Sequence, residues 1–314
     1  MPAFTASAPG KIILFGEHAV VYGQPAIAVP VMQVRARATV TPNISGSPGE
    51  VRILAPDVGL DSLWGRLSPE NPIGAALRGV CASLGVTQVP ACTLKVTSTI
   101  PVASGLGSGA AVSVAIIRAL GGFLGQPLPD EQVSTLAYEV EKIHHGTPSG
   151  IDNTVVTFTQ PVYFVKGQPV EVFEVARSFT IVIGDTGITA PTKESVGDVR
   201  RAWQADPQAY ERLFAAAGSL ARAARQAIES GRPEWLGLLM DENHALLQEM
   251  EVSSSELDRL VAAAKQAGAL GAKLSGGGRG GNMIAMVASA QAKAVAQALQ
   301  IAGAVRTITT EVGK

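Results

Sequence analysis

Apolar and β-branched residues recur at short strand-like spacings through the first part of the chain. KIILFG, AIAVPV, VRARATVTP and VRILAP are separated by polar turns, of which NISGSPGE is the clearest, and the simplest arrangement is a run of antiparallel strands. CTLKVTSTI is another strand. Helical spacing takes over in NPIGAALRGVCASLG, VSVAIIRALGGFL and DEQVSTLAYEVEKIHHG; in the last, Val133, Leu136, Ala137, Val140 and Ile143 share one face, with Asp130 as N-cap and Gly146 as C-cap. TVVTF, after Asp152, has strand character, as does PVYFVKGQPVEVFEV. SFTIVIGDTG opens a second mixed portion with Ala-rich helices near 207–230, 233–250 and 255–267, then GAKLSGGGRGGNMIAMV, a helix in QAKAVAQALQ and a closing strand. The division between two lobes is expected near residue 175, giving domains 1–175 and 176–314.

Composition narrows the class. At 314 residues the chain exceeds the usual single compact domain, so two lobes with a cleft are expected. Hydrophobic residues make up 46% and charged ones 16%, which excludes disorder, while 5% aromatics leave the core to Ala, Val, Leu and Ile. The net charge of −1 gives no global field for nucleic acid or an anionic membrane. Any anion must be bound locally. Cys81 and Cys92 form no CxxC pair and read as two ordinary thiols in a reducing compartment, without a zinc site. The first residues lack a basic, then long apolar, leader, and no segment reaches the roughly 18 apolar residues of a membrane helix. A cytoplasmic protein is expected.

Four segments carry candidate chemistry. In PVASGLGSGAA (101–111) eight of eleven positions are Gly, Ala or Ser, between a strand and a helix. The first N–H groups of such a helix lack intrahelical partners and face outward with the positive dipole end behind them, which suits a phosphate. Two other readings stand beside it. Gly105-Leu106-Gly107-Ser108-Gly109-Ala110 fits G-x-G-x-x-A, but the acidic strand end a dinucleotide site needs about 20 residues on is missing. Close helix packing without a ligand also uses small residues. No G-x-x-x-x-G-K-[ST] sequence occurs.

The second segment, EKIHHGTPSGIDNTV, brings Glu141 and Asp152 into one region across an irregular Gly/Pro loop, so that one carboxylate can ligate a metal while the other faces a hydroxyl. His144 and His145 read as a solvated helix end, since neighbours on a helix point in different directions. In the third, PGKIILFGEHAVVYG, Lys11 begins an apolar strand and Glu17-His18 follow its glycine end. The fourth, KLSGGGRGGNMIAMV, has five glycines in seven residues; either it is a flexible surface loop, or its entropy cost is offset by a backbone cradle for an anion.

Together, and in this order, the four segments resemble the GHMP kinases (galactokinase, homoserine kinase, mevalonate kinase, phosphomevalonate kinase), and most of all the mevalonate kinases, from Pro9 to about Val287. IGDTGITAPTKESVGDVR also resembles their substrate-side segment. The resemblance implies an α+β fold with an N-terminal lobe like ribosomal protein S5 domain 2, a C-terminal ferredoxin-like lobe, and the active site in the cleft between them. It implies transfer of phosphate from ATP to the 5-hydroxyl of mevalonate. Asp152 would be the catalytic carboxylate with Lys11 beside it. Ser104, Gly105, Leu106, Gly107, Ser108, Gly109 and Ala110 would wrap the ATP phosphates, and Ser108 and Glu141 would hold Mg²⁺. Glu17, His18, Thr192, Gly276 and Gly277 would face mevalonate, with Ser275 to Gly281 closing the site. Two positions depart from the pattern: Gly109 stands where a second Ser is frequent, and Arg279 where a small residue is usual. Phosphomevalonate kinase, homoserine kinase and a decarboxylating relative are the alternatives; Lys11 with Glu17-His18 speaks against the last. A homodimer without nucleic-acid or membrane partners is expected. The chemistry fits on its own terms, since phosphoryl transfer needs backbone donors and a metal on the phosphates, a carboxylate at the hydroxyl and a nearby cation.

Overall fold

The computed structural model describes residues 2–101, 104–145, 148–189 and 192–313, with the side chains of His144, His145, Thr192 and Lys193 left out. The expected C-cap Gly146 lies outside the described residues. The chain forms two units: Met1–Gly10, Val34–Val102 and Gly107–Thr159 make the first, and Lys11–Gln33, Ala103–Leu106 and Gln160–Lys314 the second. Among the described residues no helix is long and apolar enough to cross a membrane.

Strand β1 (Phe4–Phe15) begins in the first unit and ends in the second; in the first unit the end of β2 (Ala26–Pro42) is followed by β3 (Val51–Ala55), β4 (Leu60–Leu63), helix α1 (Pro72–Leu84) and β5 (Cys92–Ser98). The pairing order is β4-β3-β5-β2, with Ala36 opposite Ser98 across the antiparallel β2–β5 ladder. Val34, Ala36, Ala38 and Val40 are buried in alternation, the half-buried pattern the sequence shows. One expectation fails here: AIAVPV and VRARATVTP, read as separate strands, are one continuous strand, β2, because Met32 and Gln33 between them are not turn residues. So does the wholly antiparallel run: β3 and β5 run parallel, because α1 lies between them in the chain and lets β5 return in the same sense.

Helices α2 (Ser108–Phe123), α3 (Asp130–His145) and α4 (Ile151–Phe158) complete this unit, each packing on the next. α2 is buried on nearly all sides, which explains its continuous Ala, Val and Ile. Arg118 on α2 ties the three together, donating to Asp130 Oδ1 and to the Thr157 carbonyl, both at 2.7 Å. α4 corrects a third expectation, since TVVTF is helical. Ile151, Val155 and Val156 are all buried there, and helical spacing puts them against α2 and α3, outweighing the β preference of Thr and Val.

In the second unit, the start of β2 pairs with β6 (Val162–Phe164), which pairs with β7 (Glu171–Val172). A four-stranded antiparallel sheet follows, built from β8 (Phe179–Asp185), β9 (Gly271–Ser275), β10 (Asn282–Val287) and β11 (Arg306–Val312) in the order β11-β8-β10-β9. Between β8 and β9 the chain forms α5 (Thr192–Ala205), α6 (Pro207–Glu229), α7 (Leu236–Glu249) and α8 (Ser255–Gln266); α9 (Ala292–Ile301) precedes β11. This strand order and its two helical crossings are the expected ferredoxin-like arrangement. The core is Val182, Leu274, Met283 and Ala285 of the sheet against Phe214, Leu247, Leu260, Val295 and Leu299 of the helices.

Candidate active site

The glycine-rich segment uses its glycines for backbone conformation. Gly105 and Gly107 take left-handed φ values of 76° and 72°, and Gly107 is the N-cap of α2 without a side chain to cap it. The first-turn N–H groups of α2, from Ser108 through Ala110, therefore keep no side-chain partner from the cap.

Glu141 comes to the same helix end. On α3 it lies four and eight residues beyond Ala137 and Val133, so it continues their buried stripe and is itself only 4% exposed. Its Oε1 is 3.0 Å from where a Cβ on Gly109 would be. Glycine at 109, the position where a Ser is frequent, thus leaves space for the carboxylate. The dipole of α2 favours a negative charge here. Among the described residues no three His, Cys, Asp or Glu side chains group as a metal cage. One carboxylate and one hydroxyl, Glu141 and Ser108, nevertheless suit Mg²⁺, which takes one or two carboxylates and completes its shell with water and phosphate oxygens.

Beside Ser108 and Gly109 the first unit has a cavity of about 250 Å³, whose walls include Val58, Leu60, Ile73, Val96 and Val112. Its carboxylate, Asp57, already accepts the Ser98 N–H at 2.7 Å. The cavity is thus mostly apolar and opens at a phosphate-type helix end, a combination that fits a nucleoside followed by its phosphates. Asp152 stands in the first turn of α4, entered through Gly150 at φ 88°. That turn is pinned. Asn153 Nδ2 donates to Ser134 Oγ at 2.9 Å and to the Ser134 carbonyl at 3.1 Å, while Thr154 Oγ1 donates to the Gly150 carbonyl at 2.7 Å.

The second unit gathers most of the remaining candidates. Lys11, 7% exposed, lies within β1 rather than at its start, and its N–H donates to the Leu106 carbonyl at 3.0 Å. Asn282 Nδ2 donates to the Ser104 carbonyl, so both ends of this stretch of the loop are tied to strands. Glu17 is paired with Lys273 through one oxygen, and their side chains are 1% and 0% exposed. Burial lowers the pKa of the Lys273 ammonium and Glu17 opposes that shift.

His18 adopts φ 58° and is 5% exposed. Its Nε2 lies 3.1 Å from the Gly277 carbonyl. Burial first, and Arg279 further, bring its pKa down to about 4, opposed by the Gly277 bond; the ring is neutral at pH 7. A neutral ring donating from Nε2 has Nδ1 as an acceptor, and that atom is buried with no protein partner. Gly276 (φ 89°) is left-handed, and a Cβ there would meet nothing within 4 Å, so it borders open space. Thr192 opens α5, and its side chain lies outside the described residues.

Sequence reasoning missed Lys273, Asn282 and Asn153 as functional supports. Lys273 carried a signal: a lysine inside an otherwise apolar strand is buried only when paired. The other two sat within segments already singled out, and only three-dimensional contacts give them roles.

Comparison with known proteins identifies the family. The family models described as GHMP kinases N terminal domain and GHMP kinases C terminal match residues 71–160 and 224–305. A mevalonate kinase from Thermococcus gammatolerans is 38% identical over 97% of this chain and 95% of its own length. The solved L. major mevalonate kinase in complex with R-mevalonate is 31% identical and superposes with a TM-score of 0.82, covering 98% of this chain and 95% of that one. The Methanococcus jannaschii mevalonate kinase, at 23% identity, shows the same fold with a TM-score of 0.85 over 99% and 98% of the two chains. The chain belongs to the GHMP kinase family, among its mevalonate kinases.

Proposed function

We propose that the chain transfers the terminal phosphoryl group of ATP to the 5-hydroxyl of mevalonate, yielding 5-phosphomevalonate and ADP. The observation that carries this reading is the end of α2, where uncapped N–H groups, the Ser108 hydroxyl position and the Glu141 carboxylate meet beside an apolar cavity. The cavity takes the nucleoside, and the backbone from Ser104 to Ala110 takes the phosphates. Ser108 and Glu141 would hold Mg²⁺, which supplies charge neutralisation on the phosphate oxygens when bound.

On the acceptor side, Asp152 accepts or orients the proton of the 5-hydroxyl, and Lys11 favours the charged carboxylate and the developing alkoxide. The rigid turn around Asn153 and Thr154 holds Asp152 in place. Neutral His18 offers Nδ1 to a hydroxyl of mevalonate; Glu17, Thr192, Gly276 and Gly277 complete its surroundings. A functional division near residue 175 follows, with the phosphate and proton-transfer segments before it and the third glycine-rich segment after it. Two buried thiols without a bridge, Cys92 pushed by burial up to about 11, fit work in the reducing cytoplasm. Coupled ADP release with mevalonate, phosphomevalonate, homoserine and galactose tests the proposal: mevalonate is turned over fastest, and faster turnover of any other acceptor refutes it.

A further inference from the structure

The connection from β9 to β10, residues 276–281, is almost wholly left-handed: Gly276, Gly278, Arg279 and Gly281 have φ between 58° and 89°, and Gly280 has 145°. Two of its glycines are required by space. A Cβ on Gly278 would sit 1.9 Å from the Val252 carbonyl oxygen, and one on Gly280 would sit 2.6 Å from that of Ile188. Arg279 is different. Within this connection it is the one residue with a side chain in a backbone conformation that L residues disfavour, so its own contacts must hold it there.

Those contacts reach two places in the second unit, the connection between α7 and α8 and helix α5. The Arg279 N–H donates to the Val252 carbonyl at 2.8 Å, Nη2 to the Glu251 carbonyl at 3.4 Å, and Nη1 pairs with the Asp198 carboxylate on α5. Asp198 also receives Arg201, one turn further along α5. The same connection presents the Gly277 carbonyl to His18 and ends where Gly281 exchanges backbone bonds with Thr186 and Ile188, at 2.9 and 2.8 Å. Thr192, six residues before Asp198, opens the helix that the guanidinium grips.

We propose that Arg279 is a positioning residue: its ion pair with Asp198 latches the third glycine-rich segment onto α5, setting together the two acceptor-side groups, His18 through Gly277 and the start of α5. A glycine there would relieve the backbone and lose the latch. The inference rests on the acceptor-side reading of His18 and Thr192 given above.

The test compares Arg279→Gly, Asp198→Asn, the double variant and Arg279→Lys in steady-state kinetics. The latch predicts a mevalonate KM raised about fivefold in each of the first two, with kcat and the ATP KM within about twofold, since a half-exposed pair contributes on that scale. The double variant is no worse than the poorer single one, and Arg279→Lys restores most of the KM. Independent, multiplying effects or an unchanged KM overturn the latch. Asp198→Asn leaves the glycine-rich segment untouched and decides the matter if Arg279→Gly does not fold. Hydrogen exchange of the Gly281 amide, which needs no substrate, is faster in both single variants; an unchanged rate overturns the latch. A wild-type chain that does not phosphorylate mevalonate refutes the proposed function, and the exchange measurement still decides the latch.

Discussion

Replacing Lys273 by Met removes one half of a buried ion pair. The Lys273 side chain is 0% exposed and that of Glu17 1%, and Lys273 Nζ donates to Glu17 Oε1 and, at 2.7 Å, to the Leu274 carbonyl. Glu17 Oε2 has no protein partner among the described residues, so without the ammonium the whole carboxylate is stranded in a low-dielectric interior; the Phe15 ring, whose centroid is 5.8 Å from Lys273 Nζ, offers no donor to replace it. Breaking a buried pair in this way costs about 3–5 kcal/mol. At about 2–4 °C per kcal/mol for a domain of 150–250 residues, the melting temperature falls by about 10 °C. Far-UV circular dichroism against urea and temperature measures both quantities. Replacing both residues, as Glu17→Met with Lys273→Met, removes the stranded charge and returns stability to within about 1–2 kcal/mol of wild type. A loss below about 1 kcal/mol in Lys273→Met, or a double variant no better than the single, refutes the buried-pair account.

Asp152→Asn keeps size and hydrogen bonding but cannot take a proton, so kcat falls about 10²-fold or more with the ATP KM little changed; a full kcat with only mevalonate affinity lost would make Asp152 a binding residue. Glu141→Ala and Ser108→Ala each raise the Mg²⁺ concentration needed for half-maximal rate, and an unchanged requirement in both removes them as ligands. His18, with its folded pKa near 4 against 6.5 unfolded, makes the unfolded state bind more protons between those pH values, so stability falls as pH drops through that window. The effect is about 2 kcal/mol by pH 5, and His18→Asn flattens it; an equal acid slope in variant and wild type contradicts the neutral buried ring.

Much of this was legible in the sequence because it was written in local signals. Glycines at 105, 107, 276 and 278 sit at left-handed positions, and on the expected face of α3 Val133, Ala137 and Val140 are buried, Leu136 is half-buried and Ile143, near the helix end, is exposed. The same stripe carried Glu141 inward. What escaped depended on partners distant in sequence. TVVTF has the composition of a strand, and only packing against α2 and α3 makes it helical. The parallel β3–β5 pairing follows from α1 as a crossover, which strand patterns alone do not encode. Lys273 and Glu17 are 256 residues apart, as a buried charge pair with no periodicity to announce it. Arg279 stood out only as a large residue among glycines, and its grip on Asp198 needed the fold.

The central claim is tested most directly by identifying the product made from ATP and R-mevalonate by the wild-type chain in the presence of Mg²⁺. Phosphorus NMR with proton coupling should show a single new phosphomonoester coupled to the C5 methylene protons, formed in step with ADP. A product phosphorylated on the tertiary 3-oxygen, release of CO₂, or ADP formation that does not depend on mevalonate would contradict it.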